Sequence, residues 1–169
     1  MTTTHSHGQL GASTRIALID GHTTTIGDIA ASWHKGVRRY TYSHDEAGRG
    51  LVHWTSIEYA RRTLYTMPNV LRVTLDDGTD IDCTPSQAFL LQNDEWTPAS
   101  KLRAGDVLRT VENVHLWTWR SAPVDIPVAY AARRSVRAVA PRNEPVEVFE
   151  FALNKGDSLA HPSGIFLRS

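Results

Sequence analysis

A single cysteine, Cys83, occurs in the 169 residues. An intramolecular disulfide is therefore excluded, and no four-ligand Cys/His zinc site can be drawn around the thiol. An excess of one charge is also missing: 18 acidic residues balance 18 basic ones, leaving a formal net charge of zero. Whole-protein attraction to nucleic acid or to an anionic membrane is not expected from such a balance. No apolar run approaches the length of a membrane span. Residues 1–12 are rich in Thr, His and Gly and lack the apolar stretch of a signal peptide, so they read as a flexible arm. Long helical periodicity and close internal repeats are absent as well. The remaining residues, 13–169, read as one domain, long enough to bury a core without staples.

What the chain does have is a period of two. Arg15 to Ile19 reads as a strand closed by Asp20-Gly21, a hairpin signal. Thr25 to Trp33 is the first helical segment, with Thr25 as N-cap and Ile26, Ile29 and Ala30 on one side. Arg39 to Tyr42 is a strand, Ser43 to Gly50 a polar turn, and Leu51 to Tyr59 a strand again. Val70 to Leu75 and Asp80 to Cys83 flank Asp76-Asp77-Gly78, the clearest hairpin in the sequence. Phe89 to Leu91 and Glu95 to Thr97 flank Asn93-Asp94. One helical turn follows over Pro98 to Arg103, then a strand from Val107 to Thr110. Glu112 to Pro127 reads as irregular, and Val128 to Val139 and Val146 to Leu153 as strands, with a last one at Gly164 to Leu167. Many short strands with regular turns predict an all-β, highly twisted domain.

Two other features carry alternatives, and the histidines do not. Arg133, Arg134, Arg137 and Arg142 are either a solvated strand face or a phosphate-binding patch. Of the five tryptophans, Trp117 and Trp119 share one side of a strand, and either pack in the core or offer an aromatic surface to a partner. Among the eight histidines only His5-x-His7 has ligand-like spacing, and it lies in the arm; no metal or cofactor is expected.

The segment VLRVTLDDGTDIDCTPSQAFLLQNDEWTPASKLRAGDVL, from Val70 to Leu108, resembles the second motif block of inteins. Thr84, the Phe89-Leu90-Leu91 run, Trp96, Ala99, Leu102 and Gly105-Asp106 fall in that block's order. Ser13 to Gly21 with Thr25 to Ile29 is similar to the first block. Pro145 to Phe151 and Ser163 to Leu167 are similar to the last two. The resemblance runs from about residue 9 to the end, with no room for a homing endonuclease. It implies the all-β Hint fold of inteins and hedgehog autoprocessing domains, a horseshoe of short, strongly twisted strands.

The resemblance also assigns chemical positions. Splicing begins with a Cys or Ser nucleophile, which converts an amide to an ester or thioester; that position is Gln9. Ser6 or Ser13 serves only under a shifted alignment. The assisting Thr is kept as Thr84, but the block-two His, the natural proton donor, is Gln87. The late acid is Glu150 in place of Asp. The penultimate His is Arg168, and the terminal Asn, which would cyclise, is Ser169. Cys83 is a core cysteine or an outside candidate for a thiol nucleophile. Fold-shaping residues are kept and reactive ones replaced.

Two functions follow as expectations. One is a splicing-inactive Hint-fold structural or binding protein, including a phage virion component that decorates capsid or tail, with protein partners through self-association or a larger assembly. The other is an atypical intein or autoprocessing domain that cleaves itself or splices, using Ser6 or Ser13 with Thr84 and Glu150. The expected location is cytoplasm or virion.

Overall fold

The computed structural model describes residues 8–32, 39–44, 52–65, 70–111, 115–117, 123–125, 127–154 and 156–168; for 52–65, 115–117, 123–125 and 128 it describes the backbone alone. In chain order the first strands are β1 (Leu10–Gly11), β2 (Arg15–Ala17), β3 (Thr23–Thr25), β4 (Arg39–His44) and β5 (Val52–Tyr65). Next come β6 (Leu71–Leu75), β7 (Asp80–Cys83), β8 (Ala88–Leu90), β9 (Trp96–Pro98) and β10 (Val107–Leu108). The last are β11 (His115–Trp117), β12 (Pro123–Asp125), β13 (Arg134–Pro141), β14 (Val146–Leu153), β15 (Ser158–Ala160) and β16 (Phe166–Arg168). One helix, α1 (Ile26–Ser32), and 3-10 turns at Ala99–Lys101 and Val128–Ala131 complete the described elements. The main sheet runs β10-β13-β6-β7-β1-β14-β5-β4, beside a sheet β15-β16-β8-β9 and the pairs β2-β3 and β11-β12. It is an all-β architecture built on a curled half-barrel sheet. Among the described residues no helix is long and apolar enough to cross a membrane.

Local chemistry explains the elements. Gly78 turns β6 into β7 at φ +84°, and the Asp77 carboxylate accepts the Thr79 N–H at 3.0 Å. The register pairs Leu71 with Cys83 and Val73 with Ile81. Val73, Leu75, Ile81 and Cys83 are thereby buried together. In α1 the Thr25 hydroxyl accepts the Asp28 N–H at 3.1 Å, the cap that the sequence predicts, and Ile26 and Ile29 turn inward. One apolar cluster contains Leu10, Ile16, Ile26, Val73, Ile81, Phe89, Leu159 and Leu167; a second contains Tyr42, Leu90, Val111, Tyr130 and Phe166.

Several expectations need correction. The arm does not reach residue 12, because Leu10–Gly11 is a strand inside the main sheet, bonded between β7 and β14. Leu10 is fully buried there, so apolar burial outweighs the loop-like composition around it. Residues 1–7 lie outside the described part. Ser43 and His44 belong to β4 rather than to a polar turn, since the Ser158 hydroxyl accepts the His44 N–H and meets the Ser43 hydroxyl. Val128–Ala131 is a 3-10 turn and not a strand start, with the Tyr130 N–H bonded to the Pro127 carbonyl and the Tyr130 ring sunk in the second cluster. The stretch read as irregular holds the β11–β12 hairpin, pairing Leu116 with Val124. Trp117 is on β11, with its side chain outside the described part, as is all of Trp119. The arginine stretch does not act as one face: Arg134 pairs with Asp77 at 3.2 Å and Arg142 with Asp82 at 3.5 Å, while Arg133 and Arg137 are exposed.

Candidate functional site

Four of the assigned positions meet. Gln9, just before β1, exchanges two bonds with Thr84, just after β7: its N–H donates to the Thr84 hydroxyl at 3.0 Å, and its carbonyl accepts the Thr84 N–H at 2.9 Å. Pro85 and Ser86 then turn the chain, and the Gln87 N–H closes the turn on the Thr84 carbonyl at 3.0 Å. The turn points Gln87 inward, where it is fully buried. Its amide Nε2 donates to the Ala88 carbonyl at 3.1 Å and to the Arg168 carbonyl at 2.8 Å. One side chain thus joins the start of β8 to the end of β16.

The chain before β1 packs against the same amide. A methyl group on Gly8 would stand 2.6 Å from both the Cα and the Oε1 of Gln87, so only glycine lets this segment lie there. The side-chain oxygens of Gln9 and Gln87 are buried and have no hydrogen-bond partner among the described residues. The Arg168 guanidinium turns away, pairing with Asp157 and lying 5.4 Å over the Trp96 ring. Glu150 is half-buried on β14. The antiparallel register Leu10↔Phe149, Gly11↔Val148, continued one step, puts Glu150 across from Gln9.

Other candidates stand apart. Ser13 is exposed in the turn after β1, where the Thr14 N–H bonds to the Gly11 carbonyl. Cys83 is fully buried in the first apolar cluster; burial, helped by the neighbouring Asp82 carboxylate, pushes its thiol well above the usual range. A thiol so placed is a poor nucleophile. We expect a water-soluble aromatic disulfide reagent to label Cys83 at least ~100-fold slower in the native protein than in urea. Equal rates would place the thiol at the surface. Ser6, Ser169 and the His5-x-His7 pair lie outside the described residues.

Sequence reasoning missed Gly8 and a second buried constellation at the β15–β16 turn. There His161 Nδ1 accepts the Ser163 N–H at 3.0 Å and sits 2.7 Å from the Ser163 hydroxyl. Burial, then the charge of Arg15, lowers the His161 pKa to about 4 despite the opposing pull of Asp77. The His-Pro-Ser-Gly run signals a turn. A burial partner far along the chain leaves no local trace.

Taken together, the cluster is two side-chain amides, the Thr84 hydroxyl and main-chain groups, with one carboxylate at the facing register position. It ties the segment before β1, the turn after β7 and the end of β16 together. No group at the Gln87 position can gain or lose a proton near neutral pH.

No family model matches the chain. The B subunit of DNA gyrase from Synechocystis sp. is 31% identical over 103 residues, which is 60% of this chain and 9% of that protein's length. Among solved structures, a DnaB intein from Synechocystis sp. PCC 6803 superposes with a TM-score of 0.68 at 14% identity, covering 96% of this chain and 99% of that one. A bacterial intein-like domain from Clostridium thermocellum gives 0.68 at 16% identity, covering 95% and 98%. An intein from a hyperthermophile gives 0.69 at 16% identity, covering 96% and 99%. The fold is that of inteins and Hint domains.

Proposed function

From this intein-like fold we propose a protein that neither splices nor cleaves itself, and that serves as a structural or binding module for other protein chains. The observation that carries the reading is Gln87. At the position where the resemblance places the proton-donating His, a fully buried amide commits its nitrogen to the Ala88 and Arg168 carbonyls. Gln9 stands at the nucleophile position and offers no thiol or hydroxyl, and Ser13 is exposed in the turn beyond β1. Proton transfer to a leaving nitrogen therefore has no donor there, a loss of about 10²–10⁴ in rate on its own.

Binding partners are proteins, through self-association or a larger assembly. The finer placement is decoration of a phage capsid or tail, an extension of the non-splicing reading. Detection of the chain in purified virions tests it.

Intact mass spectrometry of the chain fused between two unrelated domains tests inactivity. Only the full-length mass is expected after a day at neutral pH, with or without thiol. A spliced or cleaved mass overturns the proposal, and the new terminus identifies the nucleophile.

A further inference from the structure

We infer that the turn from β15 to β16 is an acid-sensitive latch: proton uptake by His161 breaks it and frees β16 from the Gln87 side chain. This inference stands on the turn's geometry and is independent of whether the protein splices.

The turn spans Ala160 to Ile165 and is buried almost throughout. Its main chain is closed by the His161 N–H on the Ile165 carbonyl at 2.9 Å and the Gly164 N–H on the His161 carbonyl at 2.8 Å. The imidazole closes it a second time through Nδ1, which accepts the Ser163 N–H. A ring nitrogen that accepts a backbone N–H carries no proton, so the ring is neutral with its hydrogen on Nε2. A proton arriving at Nδ1 can turn to the Ser163 hydroxyl 2.7 Å away, but it leaves the Ser163 N–H without its acceptor and facing a cation. The turn has no slack to absorb the change, because Gly164 lies hard against the Tyr130 carbonyl and its own carbonyl accepts the Val111 N–H at 3.1 Å.

The charged and titratable neighbours decide the direction. Arg15 from β2 opposes a second positive charge. Asp77 from the β6–β7 turn favours it, but Asp77 is already engaged by Arg134 from β13 at 3.2 Å. Tyr130 from the 3-10 turn and Tyr42 from β4 stay neutral: burial raises both, Tyr42 to about 12, with Tyr130 and Asp20 contributing to Tyr42. His44 from β4 stacks edge-on against Phe166 at 5.4 Å, next along the strand. Burial and Arg15 therefore win, and the folded ring charges only near pH 4. An exposed histidine charges near pH 6.5. The opened turn thus binds a proton before the closed one, and closure is lost as pH falls from about 6.5 to about 4.

The consequence is carried by β16. Phe166 and Leu167 follow the turn directly, and the Arg168 carbonyl is the one that Gln87 holds. Opening the turn loosens the register of β16 against β15 and β8, and with it the hold of Gln87 on the Arg168 carbonyl.

Amide hydrogen exchange on the whole chain tests the latch, with rates corrected for intrinsic pH dependence. Opening of Ser163, Phe166, Leu167 and Arg168 should rise about 30-fold between pH 7.5 and pH 5. Amides of β6 and β7 should open far less. In His161→Asn, whose side-chain oxygen can accept the Ser163 N–H without titrating, the rise should vanish. Equal opening of β6 and β7, or an unchanged rise in His161→Asn, overturns the inference. Ring nitrogen shifts of His161 in the unaltered protein give a check that needs no variant: a proton on Nδ1, or a midpoint near 6.5, overturns it as well.

Discussion

Gly164→Ala should cost at least ~4 kcal/mol and leave most of the chain unfolded at 37 °C. An ideal Cβ at this position lies 1.8 Å from the Tyr130 carbonyl oxygen and 2.6 Å from its carbon, and the backbone sits at φ +91°. The obstacle is main chain on a 3-10 turn whose Tyr130 ring is buried in the second cluster, so neither side can yield cheaply. Gly78 supplies the internal control. It has a similar φ of +84°, but among the described residues nothing lies within 4 Å of its would-be methyl group. Gly78→Ala should carry only the left-handed backbone penalty, about 1–2 kcal/mol. Urea midpoints for the two variants separate steric from conformational cost. Similar values for both would mean that the β15–β16 turn is not pressed against the Val128–Ala131 turn.

Gln87→Glu should be almost as damaging, with a characteristic pH dependence. The exchange keeps size and shape but replaces the donating Nε2 with oxygen, directly facing the Ala88 and Arg168 carbonyls at 3.1 and 2.8 Å. At neutral pH a buried carboxylate would meet two acceptors, and a loss of about 3–4 kcal/mol is expected. Burial and that repulsion raise the folded-state pKa of the introduced acid above its unfolded value near 4.3. A raised pKa stabilises below the unfolded value, and that stability is lost as pH climbs through the folded one. The variant should therefore recover part of its deficit on acidification, the opposite slope to that of His161. Denaturation at pH 7 and pH 5 distinguishes the two cases. A deficit that is flat with pH would show that the amide nitrogen does not face those carbonyls.

Much of the framework can be read from residue order. Asp20-Gly21 and Asp76-Asp77-Gly78 predict their hairpins because few residues other than glycine adopt a positive φ cheaply. Thr25 predicts its cap, and Val146 to Leu153 coincides with β14. These are short-range determinants. Elements that depend on distant partners escape. Leu10–Gly11 forms a strand only because Cys83 and Phe149 flank it. Ser158–Ala160 forms one because Arg168, Leu167 and Phe166 lie opposite.

The site divides in the same way. The resemblance to the intein blocks assigns Gln9, Thr84 and Gln87 to one site, and the structure joins them with Arg168. Gly8 leaves no signal in the sequence, since its need for a missing side chain is set by Gln87 from across the sheet. His161 has no metal-ligand spacing to mark it, and its role comes from a buried turn that only the fold creates.

The placement of β1 has a consequence for how the molecule assembles. Leu10 pairs on one side with Cys83 and on the other with Phe149. During synthesis, the hairpin of β6 and β7 can close early, but its inner edge must wait for β14 before β1 is clamped in place. Pairing across such sequence separation closes slowly, on the millisecond-to-second scale of high contact order proteins. Until then the β7 edge is an open template for another chain. The Arg72 fork on Asp82, at 2.8 and 3.0 Å, sets a charged pair across the hairpin, with its carboxylate on the open strand, and so acts as a gatekeeper while the chain is incomplete.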